Sequence, residues 1–78
     1  MTRDDDVVPI TGLGPGESGV IDHLAGEPRD KIRLAGFGVA PGAKVRVVRH
    51  RPASVLEIGS TTLALDAEMA ALILVRRA

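Results

Sequence analysis

The dipeptide Pro41-Gly42 joins a helical segment to a strand and so limits how this chain can fold. Proline presets the first central residue of a type II turn, and glycine supplies the positive φ that the second requires. Residues 33–36, before the turn, are typical of a short helix that exits at a glycine. After it, residues 44–49 (KVRVVR) alternate valines with charged side chains, which indicates a half-buried strand. The chain therefore passes from a helix to a strand within about a dozen residues.

The rest of the chain predicts a mainly β fold. Residues 7–13 are apolar but interrupted by Pro9 and Gly12, which is typical of a short edge segment. Gly59-Ser60 predicts a tight hairpin turn, and Asp66 is placed to cap a short helix. The predicted strands are 20–24 (with a start as early as 17 as the alternative), 44–49, 54–58, 61–65 and 72–75, and the predicted helices are 29–36 and 67–71. About five short strands and two short helices predict a small, strongly bent antiparallel barrel.

Size and composition narrow the class of protein. The 78 residues suffice for one domain, which we expect at 7–78 behind a disordered acidic leader at 1–6. The absence of cysteine excludes disulfides and thiolate metal sites. We find neither a secretory signal nor the roughly 20 apolar residues of a membrane-spanning helix, so we expect a cytoplasmic protein without direct membrane insertion.

Charge and aromatic content argue against several kinds of partner. Ten basic and ten acidic residues cancel, which speaks against nucleic acid as the partner. Phe37 is the only aromatic residue, whereas proteins that bind proline-rich peptides or single-stranded nucleic acid use several aromatic side chains. Between Gly36 and Gly38, where the helix exits, Phe37 fits either a core position or partial exposure at a partner site.

The pattern Gly14-x-Gly16-x-x-Gly19 matches the dinucleotide-binding fingerprint by letters alone. That fingerprint requires a helix directly after the glycines, so that the pyrophosphate meets the helix N-terminus. Here Val20-Ile21 predicts a strand, so we interpret the glycines as a turn. The chain also has no Walker lysine motif and no nucleophile elbow around a serine. We therefore expect no enzymatic activity, no catalytic residues and no cofactor.

The two histidines, His23 and His50, do not fall into the spacing of a zinc site. Asp22 beside His23, with Glu27 nearby, is the combination most similar to a weak surface site. A solvated histidine is the simpler interpretation, so we predict no preformed metal site. A divalent ion sensed through Asp22, His23 or His50 is the alternative.

The densest basic cluster covers residues 44–51 and includes Lys44, Arg46 and Arg49. On a strand, Lys44 and Arg46 share one face, which we expect to be in solvent. One interpretation is a sheet edge that charge protects against aggregation. Another is an electrostatic patch for an acidic protein surface. Nucleic acid is the third, weakened by the neutral total charge.

Taken in order, these motifs resemble the FeoA family, the small cytosolic proteins associated with the bacterial ferrous-iron transporter FeoB. The family's opening P-G-E-x-G turn after a leucine is similar to residues 13–21 (LGPGESGVI). Its helix end and turn, R-L-x-x-x-G-x-x-P-G, is similar to residues 33–42 (RLAGFGVAPG), which precede the strand at 45–48. Its closing pattern is similar to Gly59, Leu63-Ala64-Leu65, Ala70, Ile73 and Val75.

The resemblance implies an SH3-like barrel and a non-enzymatic accessory protein that binds the cytosolic GTPase region of a FeoB-type transporter. Two features depart from the family: a short loop at 51–54 and Gly36-Phe37 in place of a leucine-rich helix end. Motif position and charge select the candidate partner-binding residues, which are Arg33, Phe37, Lys44, Arg46 and Arg49. We expect a monomer or a weak homo-oligomer.

The barrel is also similar to the C-terminal domain of DtxR-type iron-dependent repressors. That similarity implies the alternative of a metal-responsive accessory or regulatory domain, because a fold by itself does not select a function.

Overall fold

The computed structural model describes residues 6–77, so the predicted leader lies, except for Asp6, outside the described residues. The strands are β1 (Val7–Pro9), β2 (Ser18–Leu24), β3 (Lys44–Arg49), β4 (Ser54–Ile58), β5 (Thr61–Leu65) and β6 (Ile73–Arg77). The helices are α1 (Pro28–Gly36) and α2 (Ala67–Ala70), and a 3-10 turn at Ile10–Gly12 follows β1. In this part of the chain, every helix is too short or too polar to cross a membrane.

The strands form one antiparallel sheet in the order β1-β6-β2-β3-β4-β5. Side chains from the strands, from both helices and from the 3-10 turn pack in one aliphatic core, so the sheet must curve around it. The buried apolar residues are Ile10, Leu13, Ile21, Leu24, Leu34, Val39, Val45, Val47, Leu56, Ile58, Leu65, Ala70, Ile73 and Val75. The predicted mainly β, SH3-like architecture with two short helices is confirmed.

Local patterns predicted most strand boundaries. The strands at 44–49, 54–58 and 61–65 are as predicted, whereas β2 begins at Ser18 and β6 runs on to Arg77. The predicted edge segment 7–13 contains a true strand, since Val7–Pro9 pairs with β6, and the described sheet therefore has six strands rather than about five. Pro9 has no N–H group to donate, and the chain turns immediately after it.

The basic strand β3 lies inside the sheet, between β2 and β4. The interpretation that its charges protect an exposed sheet edge is therefore wrong. Lys44 and Arg46 do share the exposed face, and Val45 and Val47 are fully buried, as the alternation predicted. Alternation reports which face of a strand meets the core, but it carries no information on whether the strand has one neighbour or two.

Turn and cap chemistry agree with the sequence. Gly42 has a φ of 90°, as the second central residue of a type II turn requires. The Asp66 carboxylate accepts a hydrogen bond from the Met69 N–H (2.8 Å) and caps α2. Both features are local, because each depends on residues within three positions along the chain.

Candidate partner-binding site

Helix α1 is poorly covered by the rest of the fold. Leu34 is its fully buried side chain, whereas Ile32 is 73% exposed. Residues two positions apart on a helix point in different directions, so Ile32 and Leu34 cannot both face the core. That spacing was the signal by which the sequence could have marked Ile32 as a surface residue, although our candidate set omitted it.

Phe37, directly after α1, is 49% exposed. The core interpretation of Phe37 is therefore wrong, and its partial exposure is confirmed. The chain turns back after Phe37, and the Val39 N–H donates to the Leu34 carbonyl (3.0 Å). Leu34 and Val39, both fully buried, occupy the core beneath the helix exit. The aromatic ring is consequently left at the surface.

An apolar depression of about 290 Å³ lies beside the exposed helix, between α1 and the sheet. It is open to solvent, its lining is mostly apolar, and the exposed residue Lys31 contributes to it. The lining residues are His23, Leu24, Lys31, Ala35, Val39, Ala40 and Pro41. This side of the fold therefore offers apolar surface and positive charge together.

The basic residues of β3 form a second group. Lys44 and Arg46 line a depression of about 410 Å³ together with Glu57 and Gly59. The Arg46 guanidinium Nη1 donates to Glu57 Oε1 at 2.7 Å. Lys44 and Arg49 make no ion pair with any residue in 6–77. Lys44 and Arg49 are thus the two strand cations whose charge is not offset by a neighbouring carboxylate.

The end of β4 lies near both groups. A Cβ atom built on Gly38 would lie 3.8 Å from Ile58 Cγ2, so the helix exit lies against this end. Gly59, the next residue, lines the depression beside Lys44. The exit of the helix before Gly38 and the depression lined by Lys44 and Arg46 therefore both adjoin the end of β4. Arg49 lies at the opposite end of β3, where it faces Val55.

The two histidines have different surroundings. The His23 side chain is 57% exposed, and its Nδ1 lies 2.7 Å from Asp22 Oδ2. His50 is half-buried: Nε2 donates to the Leu13 carbonyl (2.7 Å), and Nδ1 accepts from Ser54 Oγ (2.8 Å). The solvated interpretation therefore fits His23 but is wrong for His50, which ties the β3–β4 loop to the segment before β2.

No three His, Cys, Asp or Glu side chains within 6–77 form a group that could hold a metal ion. Asp22 and His23 lie together, but Asp22 also contacts the Arg76 guanidinium. Both ring nitrogens of His50 are occupied by protein partners. A metal at His50 would have to displace one of these contacts.

The hydrogen bond from His23 lowers the pKa of the Asp22 carboxyl, and the nearby Arg76 charge acts in the same direction against the opposing effect of desolvation. A folded-state pKa below the unfolded value stabilises the fold above that value, and the contribution is lost as the pH falls through the folded pKa. Asp22→Asn should therefore be less stable than the wild type at neutral pH, with a gap that closes below about pH 4. Urea unfolding between about pH 7 and pH 2.5 measures the gap.

Glu68→Gln is the control for this series, because it removes an exposed carboxylate from α2 that makes no ion pair within 6–77. A gap between Asp22→Asn and the wild type that stays constant with pH would contradict the assignment.

Comparison with known proteins gives one family. Residues 8–77 match the FeoA domain family. No curated protein matches the sequence. Among solved structures, an iron uptake regulatory protein (FeoA) is 26% identical, with coverage of 94% of this chain and 99% of that one and a TM-score of 0.87.

Two further structures are similar. Iron(II) transport protein A from Clostridium thermocellum is 28% identical, with 88% of this chain and 45% of that one covered and a TM-score of 0.73. IdeR from T. acidophilum is 20% identical, with 100% of this chain but 37% of that one covered and a TM-score of 0.86. The likeness to IdeR is a likeness of fold.

Proposed function

The chain belongs to the FeoA family, which is associated with ferrous iron transport, and on that premise we propose that it is a cytosolic, non-enzymatic accessory protein that binds the GTPase region of a FeoB-type transporter. The family match spans residues 8–77, nearly the whole chain. Two of the similar structures are those of an iron uptake regulatory protein and an iron(II) transport protein. Their functions support the proposal by similarity.

The exposure of apolar and basic side chains on α1 is the observation that supports the binding role. Ile32 and Phe37 expose large apolar side chains, and Arg33, next to Ile32 and four positions before Phe37, adds positive charge. Buried aromatic anchors surrounded by polar and arginine side chains are typical of interface centres. We therefore place the main transporter contact on the surface formed by Ile32, Arg33 and Phe37, which we call the α1 surface.

The β3 cations have a separate role in this proposal. Lys44 is exposed and makes no ion pair within residues 6–77, whereas Arg46 forms an ion pair with Glu57. Charges at the rim of an interface act mainly on the association rate and its salt dependence. Lys44, Arg46 and Arg49 therefore steer an acidic partner surface, while the α1 surface holds it.

Binding to the isolated cytosolic GTPase domain of the transporter, followed by calorimetry, tests the proposal. Phe37→Ala should weaken binding about thirtyfold, since removal of an aromatic hot spot costs about 2 kcal/mol. Arg33→Glu should weaken binding and reduce its dependence on salt. Arg51→Glu is the matched control, because it makes the same charge change at an exposed residue outside the α1 surface, at the end of the basic segment 44–51.

The possible results test the proposed function and the proposed binding surface separately. A folded wild-type protein that does not bind the GTPase domain overturns the proposed function. Wild-type binding that Phe37→Ala and Arg33→Glu leave unchanged overturns the assignment of the α1 surface. Equal losses of affinity from Arg33→Glu and Arg51→Glu would show that Arg33 acts only through the overall charge of the protein.

A further inference from the structure

Strand β5 ends the sheet, and its outer edge has no backbone partner within residues 6–77. It pairs with β4 along its whole length. No backbone hydrogen bond from the described loops or turns reaches it, and Thr61, Thr62 and Ala64 are exposed. An unpaired row of backbone N–H and C=O groups is a template for another strand.

The hairpin turn determines which backbone groups point outward. Gly59 has a φ of 61° and Ser60 does not have a positive φ, as in the type II′ turn of a two-residue hairpin loop. The residues that flank such a turn are hydrogen-bonded, and bonded pairs then alternate with non-bonded pairs. Thr62 and Ala64 fall at the non-bonded positions opposite β4. Their N–H and C=O groups therefore point away from β4.

The two edges of the sheet are built differently. At one edge, β1 has only three residues and ends in Pro9. At the other, β5 (TTLAL) has no charge and no proline, and it pairs with β4 without the register shifts found between β2 and β6 and between β3 and β4. Short length, charge, proline and bulges are the devices that protect a sheet edge from pairing. The edge at β5 is thus open to another strand.

We propose that β5 pairs antiparallel with β5 of a second copy of this chain, about a two-fold axis through Leu63. In this register, Thr62 of one copy faces Ala64 of the other, and the symmetric pair repeats the contact. Each of the two pairs exchanges two backbone hydrogen bonds, so the outward groups of both residues are used in both copies. The two sheets then form one continuous sheet.

The side chains that face each other in this register favour β5 of a second copy as the strand that pairs with this edge. Thr61 faces Leu65, Thr62 faces Ala64 and Leu63 faces Leu63, so no like charges oppose each other. Leu63 packs only partly against the core, and the closely spaced symmetric pair covers more of it. A short, neutral and self-complementary strand is thereby matched with itself.

Sedimentation equilibrium from about 10 µM to about 1 mM tests the dimer. The wild-type apparent mass should rise toward twice the monomer mass. Thr62→Lys combined with Ala64→Lys sets cation against cation and should raise the dissociation constant about tenfold or more. The matched control, Thr62→Lys combined with Ala64→Glu, sets cation against anion and should retain the dimer. Both sites are exposed in the monomer, and circular dichroism checks that each variant folds.

Amide hydrogen exchange locates the contact. Protection of the Thr62 and Ala64 amides should increase with wild-type concentration, while the Leu63 amide, bonded to β4, should be protected throughout. The proposal is overturned by a wild type that stays monomeric at about 1 mM, by equal dimerisation of the two double variants, or by Thr62 and Ala64 protection that does not depend on concentration. Pairing of β5 with a different extended segment would give the first or the third result.

Discussion

Leu34→Ala is expected to lower the free energy of unfolding by about 2 to 5 kcal/mol. Leu34 is fully buried beneath α1, and its carbonyl accepts the N–H groups of Phe37 and Val39 at 3.0 Å each. Truncation removes apolar contacts and leaves a cavity where the helix meets the core. A domain of this size has a total stability of roughly 4 to 12 kcal/mol, so the loss is a large share of the whole.

Urea unfolding followed by far-ultraviolet circular dichroism measures this loss, since the chain has neither Trp nor Tyr for fluorescence. Ile32→Ala is the matched control, because it deletes the same number of carbon atoms from the same helix at an exposed position. That variant should change stability by less than about 0.5 kcal/mol. Similar losses of stability in both variants would contradict the conclusion that α1 is attached to the core through Leu34 and not through Ile32.

The same substitution connects stability to binding. If the helix loses its attachment, Phe37 and Arg33 are no longer held in one arrangement, and binding must supply the ordering free energy. Leu34→Ala should thus weaken transporter binding even under conditions where most molecules remain folded. Ile32→Ala, in contrast, should weaken binding through the lost contact while stability is unchanged.

Gly19→Ala has the second large expected effect, a destabilisation of about 1 to 3 kcal/mol. A Cβ atom at Gly19 would lie 2.7 Å from the backbone oxygen of Arg76 and 3.4 Å from Val75 Cβ. The nearer atom belongs to the backbone of β6, which pairs with β2 at this point. Relief of the clash therefore requires the two strands to separate locally.

Gly36→Ala is the control for Gly19→Ala. A Cβ at Gly36, the last residue of α1, would have no tertiary neighbour within 4 Å. Alanine is also favoured over glycine in a helix, so stability should stay equal or rise by up to about 1 kcal/mol. Thermal unfolding of the two variants under the same conditions measures the difference in their stability. A Gly19→Ala variant as stable as Gly36→Ala would show that β2 and β6 are not closely packed there.

The site was less predictable than the fold. Charge and alternation correctly placed Lys44 and Arg46 at the surface. The surface position of Phe37 was left open, because two flanking glycines allow the chain to turn the ring either way. Whether His50 was solvated depended on Leu13, which is 37 residues away in the sequence, and no local pattern encodes such a contact.

By itself, the sequence determined the features that act over a few residues. Alternating side chains set the buried faces of β3 and β4, glycine turns set the strand ends, and Asp66 set the start of α2. The tertiary structure alone decided which strands are neighbours. Pairs such as Val7 with Arg76 join opposite ends of the described chain, and their stability comes from shared burial rather than local propensity. For that reason, only the assembled sheet distinguishes the interior strand β3 from the open edge β5.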